Sequence, residues 1–301
     1  MHQMKNPQND GPLAGEVELG ADTAEALPRR LERYGKARER ATQMAGYAQA
    51  NGHTKEYRLL DGCGNYLQFR HYYTVDKVRL HAANLCRKHL LCPLCAIRRG
   101  SKALSAYLDR FAAIKAENPK LKPYFVTFTV RNGENLWERF MHLRQHMQAM
   151  NKARGRKRNQ WEVEKAEGAV WSYEVTNKGN GWHPHAHAIW LCETPPDEAK
   201  LKAEWELLTI DSHQVKVLPI EGDPVEGFLE VFKYSLKFGD LSLDDNWTAY
   251  ETLSGENLLA SFGCFRGVVV PEALTDEPLD DLPFVELLYR YVQGAGYSLS
   301  R

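Results

Sequence analysis

The sequence predicts an α+β protein whose strands and helices follow one another in the order βαββαβα. Short β-rich segments with alternating apolar residues are separated by segments whose apolar residues recur at helical spacing. Between two successive strands lies the turn Asn177-Lys-Gly-Asn-Gly181, which has the residues of a hairpin-like reversal. The turn predicts antiparallel pairing, and the element order is compatible with a ferredoxin-like split arrangement.

The individual elements follow from periodicity and from residues that begin or end helices. Pro28 sits where a helix can start, and a basic helix is predicted from there to about residue 50. Residues 51–95 are predicted to be irregular. The other predicted helices cover residues 96–116, 134–150, 196–208, 224–238 and a segment near 284–292. The predicted strands cover residues 124–130, 169–176, 183–192 and 214–220.

Composition is that of an ordinary globular protein, with 43% hydrophobic and 26% charged residues. No apolar run approaches the ~18 residues that a membrane span needs, and the first residues lack the basic-then-apolar pattern of a secretory signal. We therefore expect a cytoplasmic protein with no membrane partner. In that compartment its six cysteines are thiols or metal ligands rather than disulfides.

Charge is unevenly distributed although the chain has 39 basic and 39 acidic residues. Residues 29–123 carry 20 basic and 7 acidic side chains, whereas residues 191–301 carry 8 and 21. The basic part predicts a polyanion partner; mutual neutralisation of the two parts is the alternative. The predicted regions are a disordered tail (1–27), a basic, cysteine-rich DNA-binding region (28–122), a core (123–240) and an acidic extension (241–301).

Three histidines, His183, His185 and His187, alternate along the predicted strand 183–192, which directs them to one face. Glu174 on the preceding strand comes close to His185 if the two strands pair antiparallel. Two imidazoles and a carboxylate suit Mg²⁺ or Mn²⁺ acting on a phosphate, or Zn²⁺ acting on water. His183 either joins these ligands or only orients the site, and ordinary structural histidines are the alternative.

Four cysteines, Cys63, Cys86, Cys92 and Cys95, follow the spacing C-x22-C-x5-C-x2-C. The Cys92-Pro-Leu-Cys95 knuckle is half of a zinc site, and Cys86 and Cys63 complete it; His89 could replace Cys63. Four reduced cysteines in a loop are the alternative. The flanking basic residues favour thiolates and are also suited to contact phosphates; they are Arg87, Lys88, Arg98 and Arg99.

The predicted helix 224–238 is amphipathic, and Glu230, Tyr234 and Lys237 share its polar side. A free phenol with a pKa of ~10 is a poor nucleophile at neutral pH. A metal on a phosphate and Lys237 beside the phenol would compensate. A half-exposed tyrosine on a solvated face is the alternative. The predicted apolar side comprises Val225, Leu229, Phe232 and Leu236.

Together these segments resemble the plasmid rolling-circle replication initiators, a branch of the HUH endonucleases. The name describes histidine, hydrophobic, histidine, here His185-Ala186-His187. The resemblance covers about residues 58–240 and implies an antiparallel sheet with helices on one face, so that residues 123–240 form the HUH nuclease core. Its other segments are Asp61–Gly64, Arg79–Cys86, Leu91–Arg99, Phe125–Val130 and the Glu-x-x-x-Tyr helix.

The resemblance implies a chemistry for each part of this core. Tyr234 attacks a phosphodiester of single-stranded or extruded origin DNA, which gives a 5′-phosphotyrosine and a 3′-OH primer. His185, His187 and Glu174 hold the Mg²⁺ or Mn²⁺, and Glu230 activates water for the terminating cleavage. The implied partners are plasmid origin DNA and the host helicase and polymerase, and a homodimer is left open.

Other readings remain. A mobilisation relaxase or an HUH transposase shares the chemistry, but relaxases commonly place the tyrosine before the histidines, and many such transposases have a second tyrosine where this chain has Glu230. A zinc-stabilised DNA-binding regulator without catalysis would explain the basic charge and the cysteines, but not the histidine strand. A zinc hydrolase using the three histidines would not need Tyr234.

Overall fold

A computed structural model describes residues 22–155, 161–233 and 241–300. The elements form antiparallel sheets with interspersed helices, which confirms the predicted α+β class. In chain order they are α1 (Leu27–Ala50), α2 (Thr54–Gly62), β1 (Tyr66–Tyr72), β2 (Lys77–Ala83), α3 (Pro93–Glu117), β3 (Lys122–Thr129), α4 (Leu136–Arg154), β4 (Ala166–Asn177), β5 (Trp182–Cys192), α5 (Glu198–Thr209), β6 (Val215–Pro219), α6 (Pro224–Phe232), α7 (Leu243–Leu253), β7 (Leu259–Gly263), β8 (Val285–Val292) and β9 (Gly296–Leu299).

Two compact units divide the described chain. The first comprises residues 22–99, 241–246 and 273–300, and the second comprises residues 100–155, 161–233 and 247–272. These units do not follow the predicted regions, because β8 from the acidic extension pairs with β1 and β7 pairs with β4. Among the helices that the described ranges contain, none combines the length and apolar character that a membrane crossing requires.

The first unit contains α1, α2 and a sheet with strand order β2-β1-β8-β9. The predicted helix from Pro28 is confirmed, with the proline in the first turn of α1. The prediction that residues 51–95 are irregular was wrong, since they contain α2, β1 and β2. The predicted helix near residues 284–292 is strand β8. The apolar residues of its Leu-Leu-Tyr run fit a helical and an alternating period equally well, and the segment forms a strand because it pairs with β1.

One acid, Asp276, whose side chain is 13% exposed, joins distant parts of this unit. Its carboxylate forms ion pairs with Arg30 of α1 at 3.0 Å and with Arg98 of α3 at 2.5 Å. It also accepts a hydrogen bond from the backbone amide of Leu80 in β2 at 2.7 Å. Tyr34 accepts hydrogen bonds from both guanidiniums through its hydroxyl oxygen. Burial alone would raise the pKa of Asp276, but the guanidiniums of Arg98 and Arg30 hold it well below its usual range.

Replacing Asp276 by asparagine should therefore destabilise the protein by about 3–5 kcal/mol, because two buried guanidiniums lose their anion. The native pKa lies below the unfolded value of ~3.9, so this stabilisation is present above that pH and is lost as pH falls through the native pKa. Urea unfolding at pH 7 and pH 3 measures both effects. Asp280→Asn, at an exposed acid nearby, is the control. An equal, small effect of both variants would contradict the prediction.

The second unit contains a five-stranded sheet with order β6-β3-β5-β4-β7. Without β7, the order of the four strands is that of a ferredoxin-like split βαβ arrangement, as predicted. Phe128 of β3 and Tyr173 of β4 both lie opposite Ala186 in register and so share one face. Trp205 of α5 packs on Phe128 at 5.0 Å and Phe140 of α4 on Tyr173 at 5.5 Å. Helices α4 and α5 cover this face.

The opposite face of the same sheet also carries helices. Tyr107 of α3 stacks on Phe232 of α6, with ring centroids 5.0 Å apart, and hydrogen-bonds Ser261 of β7. Ser261 pairs with Val170, which by strand alternation points to the same face as Glu174. The implied placement of helices on one face therefore holds for α4 and α5, while α6 and part of α3 lie over the other face.

Candidate active site and metal centres

The predicted metal residues meet on neighbouring strands of the second unit. Strands β4 and β5 pair antiparallel across the predicted turn, and Glu174 lies directly opposite His185. His187 lies opposite Thr127 of β3. Because alternate residues of a strand share a face, Glu174, His185 and His187 are directed to one side of the sheet.

Their donor atoms converge. The Nε2 atom of His185 lies 3.3 Å from Oε1 of Glu174, and the Nε2 atom of His187 lies 3.6 Å from Oε2. All three ligand atoms lie within 4.8 Å of one another. Glu174 and His185 are buried. Two imidazole nitrogens and a carboxylate oxygen are a donor set for a divalent transition metal, and Mg²⁺ or Mn²⁺ would add oxygen ligands from substrate or water. These residues fit the expected ion.

Both imidazole rings are held through their Nδ1 atoms. His185 Nδ1 donates to the backbone carbonyl of His183 at 3.3 Å. His187 Nδ1 lies 3.2 Å from the Thr127 hydroxyl, and its ring stacks on Phe125 at 5.3 Å. A carbonyl can only accept, so the contact of His185 selects the tautomer with its proton on Nδ1, which leaves the Nε2 lone pair for a metal. The Thr127 hydroxyl can pair with either tautomer of His187 and holds its ring in place.

His183 lies outside this group of donors. Its Nδ1 atom is 2.6 Å from the side-chain oxygen of Asn132. Burial, with a smaller effect of the neighbouring His185, lowers the pKa of His183 to about 4, which keeps the ring neutral at physiological pH. The backbone carbonyl of His183 accepts the hydrogen bond of His185, and the role of the His183 side chain stays a prediction.

Helix α6 lies over the histidine face and contacts β4 and β5. Asp223 caps its first turn by accepting the Val225 amide at 2.9 Å, and Pro224 follows the cap. The predicted catalytic Glu230 lies in the last turn and pairs with Lys233 at 2.6 Å. The predicted Tyr234 and Lys237 lie outside the described residues.

The buried side of α6 differs from the predicted stripe. Phe228, Val231 and Phe232 are buried, whereas Val225 and Leu229 are half-buried. Leu236 lies outside the described residues. The cause is tertiary, because Phe228 packs on Phe111 of α3 at 5.2 Å. A helical wheel drawn for α6 alone contains no information on this contact.

The four cysteines converge in the first unit as predicted. The sulfur of Cys63 lies 3.5 Å from that of Cys92 and 3.6 Å from that of Cys95, and the sulfur of Cys86 lies 3.6 Å from that of Cys95. These separations far exceed a disulfide bond of ~2.05 Å. They are close to the ~3.8 Å edge of a tetrahedron with Zn–S distances of ~2.3 Å. The cluster fits Zn²⁺.

The surroundings of the four sulfurs influence their ionisation in opposite directions. Cys92 immediately precedes α3, where helix N-terminal amides favour negative charge. The backbone amide of Cys86 donates to the sulfur of Cys63 at 3.4 Å. Hydrogen bonding among the sulfurs, that of Cys63 first, lowers the pKa of Cys86 and raises those of Cys92 and Cys95. Without a cation, Cys92 and Cys95 are therefore held in their thiol form, and a cation between the sulfurs would let all four ionise.

The predicted DNA-binding residues near this cluster differ in accessibility. Arg98 was wrongly predicted, because its side chain is 1% exposed and paired with Asp276. Asp276 lies 178 positions away along the chain, so the ion pair could not be predicted from the basic residues near Arg98. Arg87 is exposed, and Lys88 and Arg99 are half-buried; a role for these three in DNA binding stays a prediction.

The fold and its centres define an α+β protein with a Glu-His-His group on an antiparallel sheet and a separate four-cysteine group. Residues 77–195 match the family model described as "Replication protein". The chain is also 28% identical over 234 residues to "Protein rep" of Lactiplantibacillus plantarum. This alignment covers 74% of this chain and 70% of the relative. No solved structure gives a significant match. These matches confirm the predicted resemblance to plasmid replication initiators.

Proposed function

We propose that the protein initiates rolling-circle replication of a plasmid by nicking one DNA strand at the origin. The observation that carries this proposal is the convergence of Glu174, His185 and His187 on one face of the sheet. All three residues lie inside the segment that matches replication proteins. Such a donor set leaves coordination positions open for a phosphate.

Tyr234 is the proposed nucleophile. It directly follows Lys233 at the end of α6, and α6 contacts the strands that carry the histidines and the glutamate. The phenolic oxygen forms a bond to the scissile phosphorus while the bond from phosphorus to the 3′-oxygen breaks. The phenol loses its proton, which Lys237 favours electrostatically, and the leaving 3′-oxygen gains one.

The products are a 5′-phosphotyrosine and a free 3′-OH that host polymerase extends as host helicase separates the strands. In rejoining, a 3′-OH attacks the phosphotyrosine, which restores the phosphodiester and releases the phenol. Glu230 is proposed to activate a water molecule for the terminating cleavage, with its carboxylate held by Lys233 at 2.6 Å.

Glu174, His185 and His187 would hold Mg²⁺ or Mn²⁺, which supplies Lewis-acid polarisation of the scissile phosphate when bound. The hydrogen bonds from His185 to the His183 carbonyl and between His187 and Thr127 keep both rings in the required orientation. The four cysteines would hold a structural Zn²⁺, and Arg87, Lys88 and Arg99 would contact origin phosphates.

Replacing Tyr234 by phenylalanine should abolish a covalent protein–DNA adduct. The assay mixes purified protein, Mn²⁺ and a single-stranded origin oligonucleotide labelled at its 3′ or 5′ end, and resolves the products on denaturing gels. For the unmodified protein, we expect the 3′-label of the downstream fragment to migrate with the protein. Tyr73→Phe, at a 55% exposed tyrosine, is the control and should leave adduct formation intact.

The other outcomes separate the remaining readings. Cleavage without an adduct, unaffected by Tyr234→Phe, would indicate a metal-dependent hydrolase. Specific binding of the origin without any cleavage would favour a zinc-stabilised regulator. A continuing transfer of strands in place of the terminating cleavage would favour a relaxase or transposase, and Glu230→Ala tests that step. A dimer in sedimentation experiments would establish the oligomeric state that the resemblance leaves open.

A further inference from the structure

We propose that Gly100 of α3 is a positioning residue for the nucleophile: its missing side chain lets the backbone carbonyls of Phe232 and Lys233, the residue before Tyr234 in the sequence, lie directly against α3. This inference rests on the proposed function, since it concerns the approach of Tyr234 to the metal centre. Gly100 was not singled out by the sequence, where it is one of 22 glycines.

The backbone of α6 ends against Gly100. A Cβ atom on Gly100 would lie 2.3 Å from the carbonyl oxygen of Phe232 and 2.6 Å from that of Lys233. Non-bonded carbon and oxygen atoms do not approach this closely, and backbone oxygens cannot rotate away as a flexible side chain can. Any side chain at position 100 therefore requires the end of α6 to move.

Two aromatic contacts keep α6 on the same side of α3. Tyr107 stacks on Phe232 with ring centroids 5.0 Å apart and planes 28° apart, and Phe111 packs on Phe228 at 5.2 Å. Positions 100, 107 and 111 share one side of a helix. As the residue number rises along α3 it falls along α6, so the helices pack antiparallel. The aromatic contacts hold the helix, and the glycine sets how close its last turn comes.

The glycine has no evident benefit for α3 itself. Glycine in a helix interior is less favourable than alanine because it loses more conformational freedom on folding. Its φ is not positive, so α3 does not need glycine for backbone conformation. The contact with Phe232 and Lys233 is the feature that requires it, and the residue after Lys233 is Tyr234.

The consequence is kinetic. A displacement of about 1 Å between reacting groups can lower a rate by ~10²-fold. Gly100→Ala must displace the carbonyls of Phe232 and Lys233 by an amount of that order. We therefore expect adduct formation to slow by ~10²-fold. The Glu174, His185 and His187 donors lie on other elements, so Mn²⁺ affinity should be unchanged.

The test compares Gly100→Ala with Gly46→Ala. Gly46 also lies inside a long helix, α1, and a Cβ atom there would meet no atom within 4 Å. Four quantities are measured on the full chain: the single-turnover rate of adduct formation, the Kd for single-stranded origin DNA, the affinity for Mn²⁺ and the unfolding midpoint. We expect Gly100→Ala to lower the rate while leaving the Kd and the Mn²⁺ affinity unchanged, and Gly46→Ala to change none of these three. The unfolding midpoint checks that both variants are folded at the assay temperature, since the displacement in Gly100→Ala costs some stability.

Equal adduct rates for Gly100→Ala and the unmodified protein would overturn the inference while leaving the proposed function in place. A joint loss of folding, Mn²⁺ affinity and rate in Gly100→Ala would also overturn it, because the glycine would then be needed only for the fold. Absence of an adduct with the unmodified protein would instead overturn the proposed function and, with it, this inference.

Discussion

His185→Ala is expected to lower origin cleavage by at least ~10³-fold, because Lewis-acid stabilisation of a phosphoryl transition state contributes several kcal/mol. His185 supplies an Nε2 donor that lies 3.3 Å from Glu174 in a buried position. Its removal leaves one imidazole and one carboxylate, too few protein donors to retain the ion at micromolar concentration. Isothermal titration with Mn²⁺ and the covalent-capture assay measure both losses in the same preparation.

The control for this variant is His213→Ala. His213 is exposed and precedes β6 in the same unit, where its Nε2 atom lies 3.1 Å from the side chain of Gln214. It should leave Mn²⁺ binding and cleavage within about twofold, and both variants should bind single-stranded origin DNA, since phosphate contacts dominate that affinity. Full cleavage by His185→Ala, with Mn²⁺ affinity retained, would exclude this centre from the reaction.

The Glu-His-His group could be predicted from the sequence because its geometry is local. Alternation along one strand fixes the face of His185 and His187, and a five-residue turn fixes which residue of the preceding strand lies opposite. Glu174 thus follows from the pairing register, which the structure bears out with Glu174 opposite His185. The cysteine cluster was predictable for a similar reason, since the spacing of Cys92 and Cys95 is itself typical of a zinc knuckle.

Features that depend on distant parts of the chain could not be predicted in this way. The burial of Arg98 depends on Asp276, and the strand at residues 285–292 depends on pairing with β1. The buried side of α6 depends on Phe111, and the role proposed for Gly100 depends on the end of α6. In each case the local sequence is compatible with two structures, and a tertiary partner selects one of them.

Cys92→Ser is expected to remove zinc from the protein and to destabilise it by more than about 4 kcal/mol, because loss of a structural metal is among the few large single-residue effects. The cluster brings together the end of α2, through Cys63, the loop after β2, through Cys86, and the start of α3. An ion shared by these segments would fix their positions relative to one another, so its binding energy would contribute directly to folding.

Cys264→Ser provides the matched control for this prediction. Cys264 is also a reduced cysteine, but it lies in the second unit and outside the four-cysteine group. Zinc content by atomic absorption should be about one ion per chain for the unmodified protein and for Cys264→Ser, and near zero for Cys92→Ser. Thermal unfolding should show a large loss for Cys92→Ser alone, and a strong chelator should produce the same loss in the unmodified protein. Unmodified protein that contains no zinc and keeps its stability would contradict this prediction. The four sulfurs would then be ordinary thiols, and packing of the surrounding side chains alone would hold them close together.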